Sequence, residues 1–186
     1  YLETVDRLLD RHSTLWPADP FILSGDSRKG RSLARALADP CLIVADGGHR
    51  AGPRLIDLEH FTSPDTTSAA CLLEAGQHWS ADSVAASGRV VDDFLRHTLA
   101  GPEPEPLPGH KVAEVTHRIT ARTGVFTFTQ AFRNGEAVAR RGTLIATDGP
   151  DEIRTPYDRC LLVDARFRAI GDKALGVGAH RLADDG

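Results

Sequence analysis

The chain has 186 residues, 41% hydrophobic and 26% charged, with a net charge of −4. That size allows one large domain or two small ones. The balance is ordinary for a soluble globular protein, and without a basic stripe it argues against a nucleic-acid partner. No apolar stretch approaches the ~20 residues that span a bilayer, and no secretory leader is visible.

In chain order, Leu8-Leu9-Asp10-Arg11-His12-Ser13-Thr14 places an aspartate and a histidine after an apolar pair. If this segment is extended, Asp10 and His12 point to one face, because strand side chains alternate with period two. Pro20–Ser24 and Pro40–Ala45 read as strands, and Ser27–Leu37 as a helix with Leu33, Ala34 and Leu37 on one face. The glycine-rich Gly47–Gly52 lacks the ending of a phosphate loop and reads as a turn, with Arg50 and Arg54 nearby as conceivable anion anchors.

Ala70–Leu73 reads as a further strand, leading to Glu74 in Cys71-Leu72-Leu73-Glu74-Ala75-Gly76-Gln77-His78. A core strand that delivers one acid at its carboxyl end is a common catalytic device, since ligands bind beyond strand carboxyl ends in open α/β sheets. Burial there raises a carboxyl pKa toward what a general base needs. Ser80–Leu99 predicts an amphipathic helix with Val84, Val90, Val91, Phe94, Leu95 and Leu99 as its apolar positions, capped by Ser80.

Four prolines between Ala100 and Gly109 predict an extended linker. Beyond it strand signals dominate: Val112–Ala121, Val125–Phe132, Thr143–Ala146 and Cys160–Val163, with turns at Asn134-Gly135 and Asp148-Gly149-Pro150. The expected architecture is α/β: a mainly parallel sheet layer over 1–99, a linker over 100–110, and a small all-β domain over 111–186. Cys41, Cys71 and Cys160 each open an apolar run and read as buried, reduced thiols, which suits a cytoplasmic protein.

Each chemical candidate has two readings. His12 is a zinc ligand oriented by Asp10, or a surface histidine. Glu74 is a general base, or an exposed acid at a strand end. Gln77, His78 and Trp79 line a pocket, or form a loop packed on the next helix, which is the favoured reading. His60, His97, His110, His117 and His180 show no paired metal spacing, and no His-x-x-Glu, His-Glu-x-x-His or Cys-x-x-Cys occurs.

Taken together, these residues resemble a known family. Asp10-Arg11-His12-Ser13-Thr14 resembles the Asp-x-His-Ser/Asn-Thr motif of the succinylglutamate desuccinylase/aspartoacylase family, and Leu73-Glu74-Ala75-Gly76-Gln77-His78 its Glu-x-Gly segment. Gly135–Ala146, Asp148-Gly149 and Ile153–Pro156 resemble its C-terminal β domain. The resemblance implies a zinc-carboxypeptidase-like sheet layer, one zinc per complete site, His12 as a metal ligand and Glu74 as the general base. It implies hydrolysis of the amide bond of a small N-acyl amino acid or related compound.

The family's first metal motif, His-x-x-Glu, is absent, as are the arginines that usually follow it. The chain begins with Tyr1 and contains no methionine, so it is expected to be the C-terminal part of a longer enzyme that binds zinc weakly or not at all by itself. The competing expectations are a metallocarboxypeptidase and a non-enzymatic binding module; a carrier module would need a lysine in the Asp148–Glu152 turn, and none is there. The expected partner is the small substrate, with self-association left open and neither nucleic acid nor membrane involved.

Overall fold

A computed structural model describes residues 4–15, 17–40, 42–47, 52–99, 107–133 and 135–163. The chain divides into two compact units between Val112 and Ala113.

The first unit is built on one five-stranded sheet. β1 (Arg7–Thr14), β2 (Phe21–Leu23), β3 (Leu42–Ala45), β4 (Ala69–Gln77) and β5 (Lys111–Glu114) lie in the order β1-β4-β2-β3-β5. β1 pairs parallel with β4, β4 antiparallel with β2, and β2 parallel with β3. The sheet is therefore mixed rather than mainly parallel. Tandem strand–helix patterning predicts crossovers, but it does not reveal that β2 and β3 run opposite to β1 and β4.

Alternation sorts the apolar runs onto two faces. Ile22, Ile43, Cys71, Leu73 and Ala75 pack with Leu33, Ala34 and Leu37 of α1 (Arg28–Arg35) and its C-terminal turn, and with Val90 of α3 (Ala81–Leu99). Each fully buried aliphatic side chain of this set contributes about 1.5–3 kcal/mol by leaving water. α1 starts where Ser27 accepts the Gly30 amide at 2.9 Å. It then lies close to the sheet at Gly30, where a Cβ would stand 2.2 Å from the Ser24 carbonyl and 2.8 Å from that of Ala70.

The loop into β4 carries a 3-10 turn (Leu55–Asp57) and a short helix α2 (Glu59–Thr62), neither signalled by periodicity. Lys29 fastens that loop, donating to the carbonyls of Ser63 (2.7 Å) and Thr66 (2.8 Å) and to Thr66 Oγ1 (2.7 Å).

Two sequence expectations change in the first unit. β4 does not stop before Glu74; three more strand residues follow it. The pairing continues because β4 carries an extra residue opposite β1 between Glu74 and Gln77, a β-bulge occupied by Ala75 and Gly76. Gly76 takes φ +104°, and a Cβ there would meet Ser83 Oγ at 2.7 Å and the Ala18 carbonyl at 3.0 Å.

The second change concerns α3, which presents Ser83, Ala86, Val90 and Asp93 inward and leaves Val84, Leu95 and Leu99 exposed. Ser83 approaches the bulge at Gly76, and the buried face is made by the small residues Ser83 and Ala86 with Val90 and Asp93, which leaves the larger apolar residues outward. Ser80 Oγ accepts the Asp82 amide at 3.2 Å, as its capping role requires.

Residues 100–106 of the expected linker lie outside the described residues. Its end is tied to the first unit: the Leu107 amide donates to the Arg35 carbonyl at 2.8 Å, and buried His110 sits 2.7 Å from the Leu37 carbonyl.

Among its described residues the second unit carries only strands. β6 (Phe126–Phe128), β8 (Leu144–Asp148) and β9 (Asp151–Arg154) form one antiparallel sheet, while β7 (Glu136–Val138) pairs antiparallel with β10 (Cys160–Leu162). The strands are shorter than the apolar runs predicted. Gly149 (φ +63°) and Pro150 turn β8 into β9, whereas Asn134 lies outside the described residues. Ile145, Ala146, Cys160, Leu162 and Phe126 make the core.

Buried Asp148 organises one end, accepting the amides of Arg122 (2.7 Å) and Thr123 (2.9 Å) and the Thr123 hydroxyl (2.5 Å). Cys71 and Cys160 are buried free thiols, pushed up by burial to about 12 and about 11; Cys41 and residues 164–186 lie outside the described residues. Among the described residues no helix is long and apolar enough to cross a membrane.

Two outcomes are expected. Gly76→Ala should cost roughly 1–3 kcal/mol in urea unfolding, since an L side chain at that φ is strained and no space awaits its Cβ. The Thr123 hydroxyl bond, then the Arg122 amide, hold the Asp148 carboxyl below its ordinary range against the opposing effect of burial. Its contribution to stability is therefore present above the unfolded-state pKa of ~3.9 and is lost as pH falls through the lower folded value. Thermal denaturation of Asp148→Asn should show a lower Tm at pH 7 and a shallower loss of stability on acidification.

Candidate functional site

The parallel register of β1 and β4 sets His12 directly beside Glu74 and Asp10 beside Leu72. On the other side of β4, the antiparallel register sets Phe21 of β2 beside Glu74. Laterally paired residues point to the same face of a sheet, so His12, Glu74 and Phe21 form a row. Leu9, Cys71, Leu73 and Ala75 alternate onto the face covered by α1 and α3. The row therefore projects from the opposite face.

The side chains meet as this arrangement requires. His12 Nε2 lies 3.3 Å from Asp10 Oδ2, and Nδ1 lies 3.9 Å from Glu74 Oε1. The imidazole thus sits between two carboxylates, one on its own strand and one on the neighbour. The carboxylates are largely sheltered, at 17% exposed for Asp10 and 15% for Glu74, whereas His12 is 49% exposed. Glu74 Oε2 is shielded from solvent, and buried Phe21 is the lateral neighbour of Glu74 on β2.

A half-exposed imidazole steadied by a carboxylate has the chemistry of a metal ligand, because a carboxylate on one ring nitrogen fixes the tautomer and turns the other outward. Here that other nitrogen is Nδ1, on the Glu74 side. The donor set fits one ligand position of a zinc site together with a neighbouring base. Among the described residues no group of three or more histidine, cysteine, aspartate or glutamate side chains could hold a metal ion.

The neighbouring candidates have other engagements. The His78 amide donates to the Thr14 carbonyl at 2.8 Å and His78 Nδ1 lies 2.6 Å from Ser13 Oγ, which closes the end of the strand pair. Trp79 packs edge-on against the His78 ring and is otherwise exposed. Gln77 Nε2 reaches the Leu15 carbonyl at 3.5 Å.

Arg54 is not an anion anchor. Its guanidinium is buried and engaged by Asp57 through two bonds of 2.8 Å and by Asp46 Oδ2 at 3.1 Å. Burial opposes its charge, but Asp57 and Asp46 outweigh that opposition and hold it above its ordinary range. Asp46 follows β3, which runs opposite to β4, so this cluster stands at the other end of the sheet from the strand end that β4 leads to. Arg50 lies outside the described residues.

Sequence reading missed Phe21. Its strand is legible, but the antiparallel pairing that places it beside Glu74 leaves no local signal.

No protein-family model and no curated protein matches the sequence. Solved structures do match the fold. A succinylglutamate desuccinylase from Vibrio cholerae is 17% identical with a TM-score of 0.61, over 92% of this chain and 50% of that one. A succinylglutamate desuccinylase/aspartoacylase from Rhodobacter sphaeroides is 17% identical with a TM-score of 0.57, over 96% and 59%. The product-bound ectoine utilization protein EutE (DoeB) from Ruegeria pomeroyi is 16% identical with a TM-score of 0.60, over 98% and 60%.

The chain spans about half to three-fifths of the length of these structures. At such identities the shared property is the fold, and the resemblance read from the motifs at His12 and Glu74 holds at that level: this chain has the α/β fold seen in part of succinylglutamate desuccinylase structures.

Proposed function

We propose that this chain is the part of a zinc-dependent deacylase that carries one metal ligand and the general base, and that the complete enzyme hydrolyses the amide bond of a small N-acyl amino acid. The observation that carries this reading is the lateral pairing of His12 with Glu74, with Asp10 on the far ring nitrogen. The fold shared with desuccinylase structures supports it, and the coverage of 50–60% of their lengths supports a chain that supplies part of the site.

In this reading His12 would hold zinc and Asp10 would keep the ring oriented. Zinc, when bound, supplies Lewis acidity to the amide carbonyl and to a water. Glu74 would take a proton from the attacking water and deliver it to the departing amine. Glu74 Oε2 is shielded from solvent, and buried Phe21 is the lateral neighbour of Glu74 on β2. The described residues that follow β5 belong, on this proposal, to a small β domain. The buried free thiols suit a reducing compartment such as the cytoplasm.

The test uses the longest natural polypeptide that carries these residues, loaded with zinc and offered a panel of N-acyl amino acids and short peptides. Glu74→Gln should lower kcat by at least about 100-fold, the usual scale of general-base catalysis, with zinc content unchanged. Unchanged turnover in that variant refutes the base assignment, and cleavage of peptides in preference to N-acyl amino acids favours a peptidase. Asp10→Asn should weaken zinc affinity by about 10–100-fold, measured by competition with a chromophoric chelator.

A further inference from the structure

β1 is an outermost strand of its sheet: among the described residues it pairs only with β4. Two bonds show which of its backbone groups face outward. The Asp6 carbonyl accepts the Ala69 amide at 3.0 Å and the Thr14 carbonyl the His78 amide at 2.8 Å, so the even-numbered residues turn their backbone groups toward β4. Alternate residues of a strand bond on opposite sides, so the N–H and C=O of Leu9, Arg11 and Ser13 point away from it. Among the described residues nothing bonds them.

This edge lacks several of the devices that close a natural one. β1 has eight residues, longer than the usual run of about five or six. It contains no proline, and the bulge in the pair lies on β4. The side chains of Arg11 and His12 stand off the two faces of the sheet, which leaves the ladder between them open. Burial points the same way. Leu8 lies beside Ala70 and Leu9 beside Cys71. The two β4 residues, with strands on both sides, are buried, whereas Leu8 and Leu9 are half-buried.

We infer that a further β-strand, from polypeptide preceding Tyr1, pairs with Leu9, Arg11 and Ser13 and lays one side chain beside His12, extending the row of His12, Glu74 and Phe21. The row extends because laterally paired residues share a face. Three observations select this occupant. The solved structures that share the fold are longer, and this chain covers only 50%, 59% and 60% of them, so the fold has residues to supply a strand. Consecutive strands are commonly neighbours, and β2, which follows β1, pairs with β3 and β4 instead. A second copy suits the edge poorly. A two-fold that uses the whole open ladder centres on Arg11 and sets that residue against itself, and like charges directly opposite destabilise a pair.

Strand addition at β1 does not depend on the deacylase reading, and its test contains neither zinc nor substrate. The experiment is hydrogen exchange resolved at single amides by NMR, on the longest natural polypeptide that carries these residues. An edge bonded only to β4 shows alternating protection: Leu8, Asp10 and His12 slow, Leu9, Arg11 and Ser13 fast. With the added strand, the Leu9, Arg11 and Ser13 amides should exchange at least about 100-fold more slowly than amides of exposed loops in the same sample. Cross-strand NOEs should connect them to a segment preceding Tyr1, with one of its side chains against the His12 ring. The alternating pattern overturns the inference. So do NOEs that lead instead to residues 164–186 or, in a mixture of labelled and unlabelled protein, to a second molecule.

Discussion

The parallel pairing of β1 with β4 is the constraint on which the rest depends. Its register is fixed by burial: a slip of one residue would turn Cys71 and Leu73 away from the core formed with α1 and α3, and would expose them. The same register places His12 beside Glu74, so the packing of the helix-covered face positions the polar groups of the other. Neither side chain needs a dedicated scaffold. The bulge at Ala75–Gly76 preserves the pairing beyond Glu74 and lets Ser83 approach the strand, which joins α3 to the same feature.

The elements nearest the site were legible because their signals are local. Alternation along Leu8–His12 gave Asp10 and His12 one face, and the apolar run through Leu73 gave a buried strand before Glu74. Ser27 and Ser80 marked helix starts. The missing information was of longer range. Strand direction across β4–β2 has no sequence period, so neither the mixed sheet nor the Phe21 neighbour of Glu74 could be read. The inward face of α3 was misassigned because Val84, Leu95 and Leu99 have the right spacing and hydrophobicity for a core. The close approach at Gly76 selects a small residue at 83, which turns Ser83 and Ala86 inward instead. Arg54 illustrates a related limit: composition shows a cation near a glycine-rich segment, while the structure shows that Asp46 and Asp57 already occupy it.

The polar groups of the first unit thus have separate roles. Arg54 and Lys29 hold the segments that lead into β4, each surrounded by oxygen acceptors within the fold. His110 and Asp93 fasten the end of α1, with Asp93 accepting the Ala38 amide at 2.9 Å. The row at His12 differs in that its imidazole remains half exposed between two sheltered carboxylates. That contrast in solvent access sets the row at His12 apart from the ion pairs that support the sheet.

The central claim is that His12, steadied by Asp10 and set beside Glu74, is the metal-ligating imidazole of this chain. Its most direct measurement is a zinc titration of the longest natural polypeptide that carries these residues, followed through the ring-nitrogen NMR signals of the histidines, using His12→Ala to assign the His12 resonances. The account predicts that His12 Nδ1 responds first and that the other histidines do not respond at the same zinc level. A first response from His60, His78, His97 or His117 with His12 silent would contradict it.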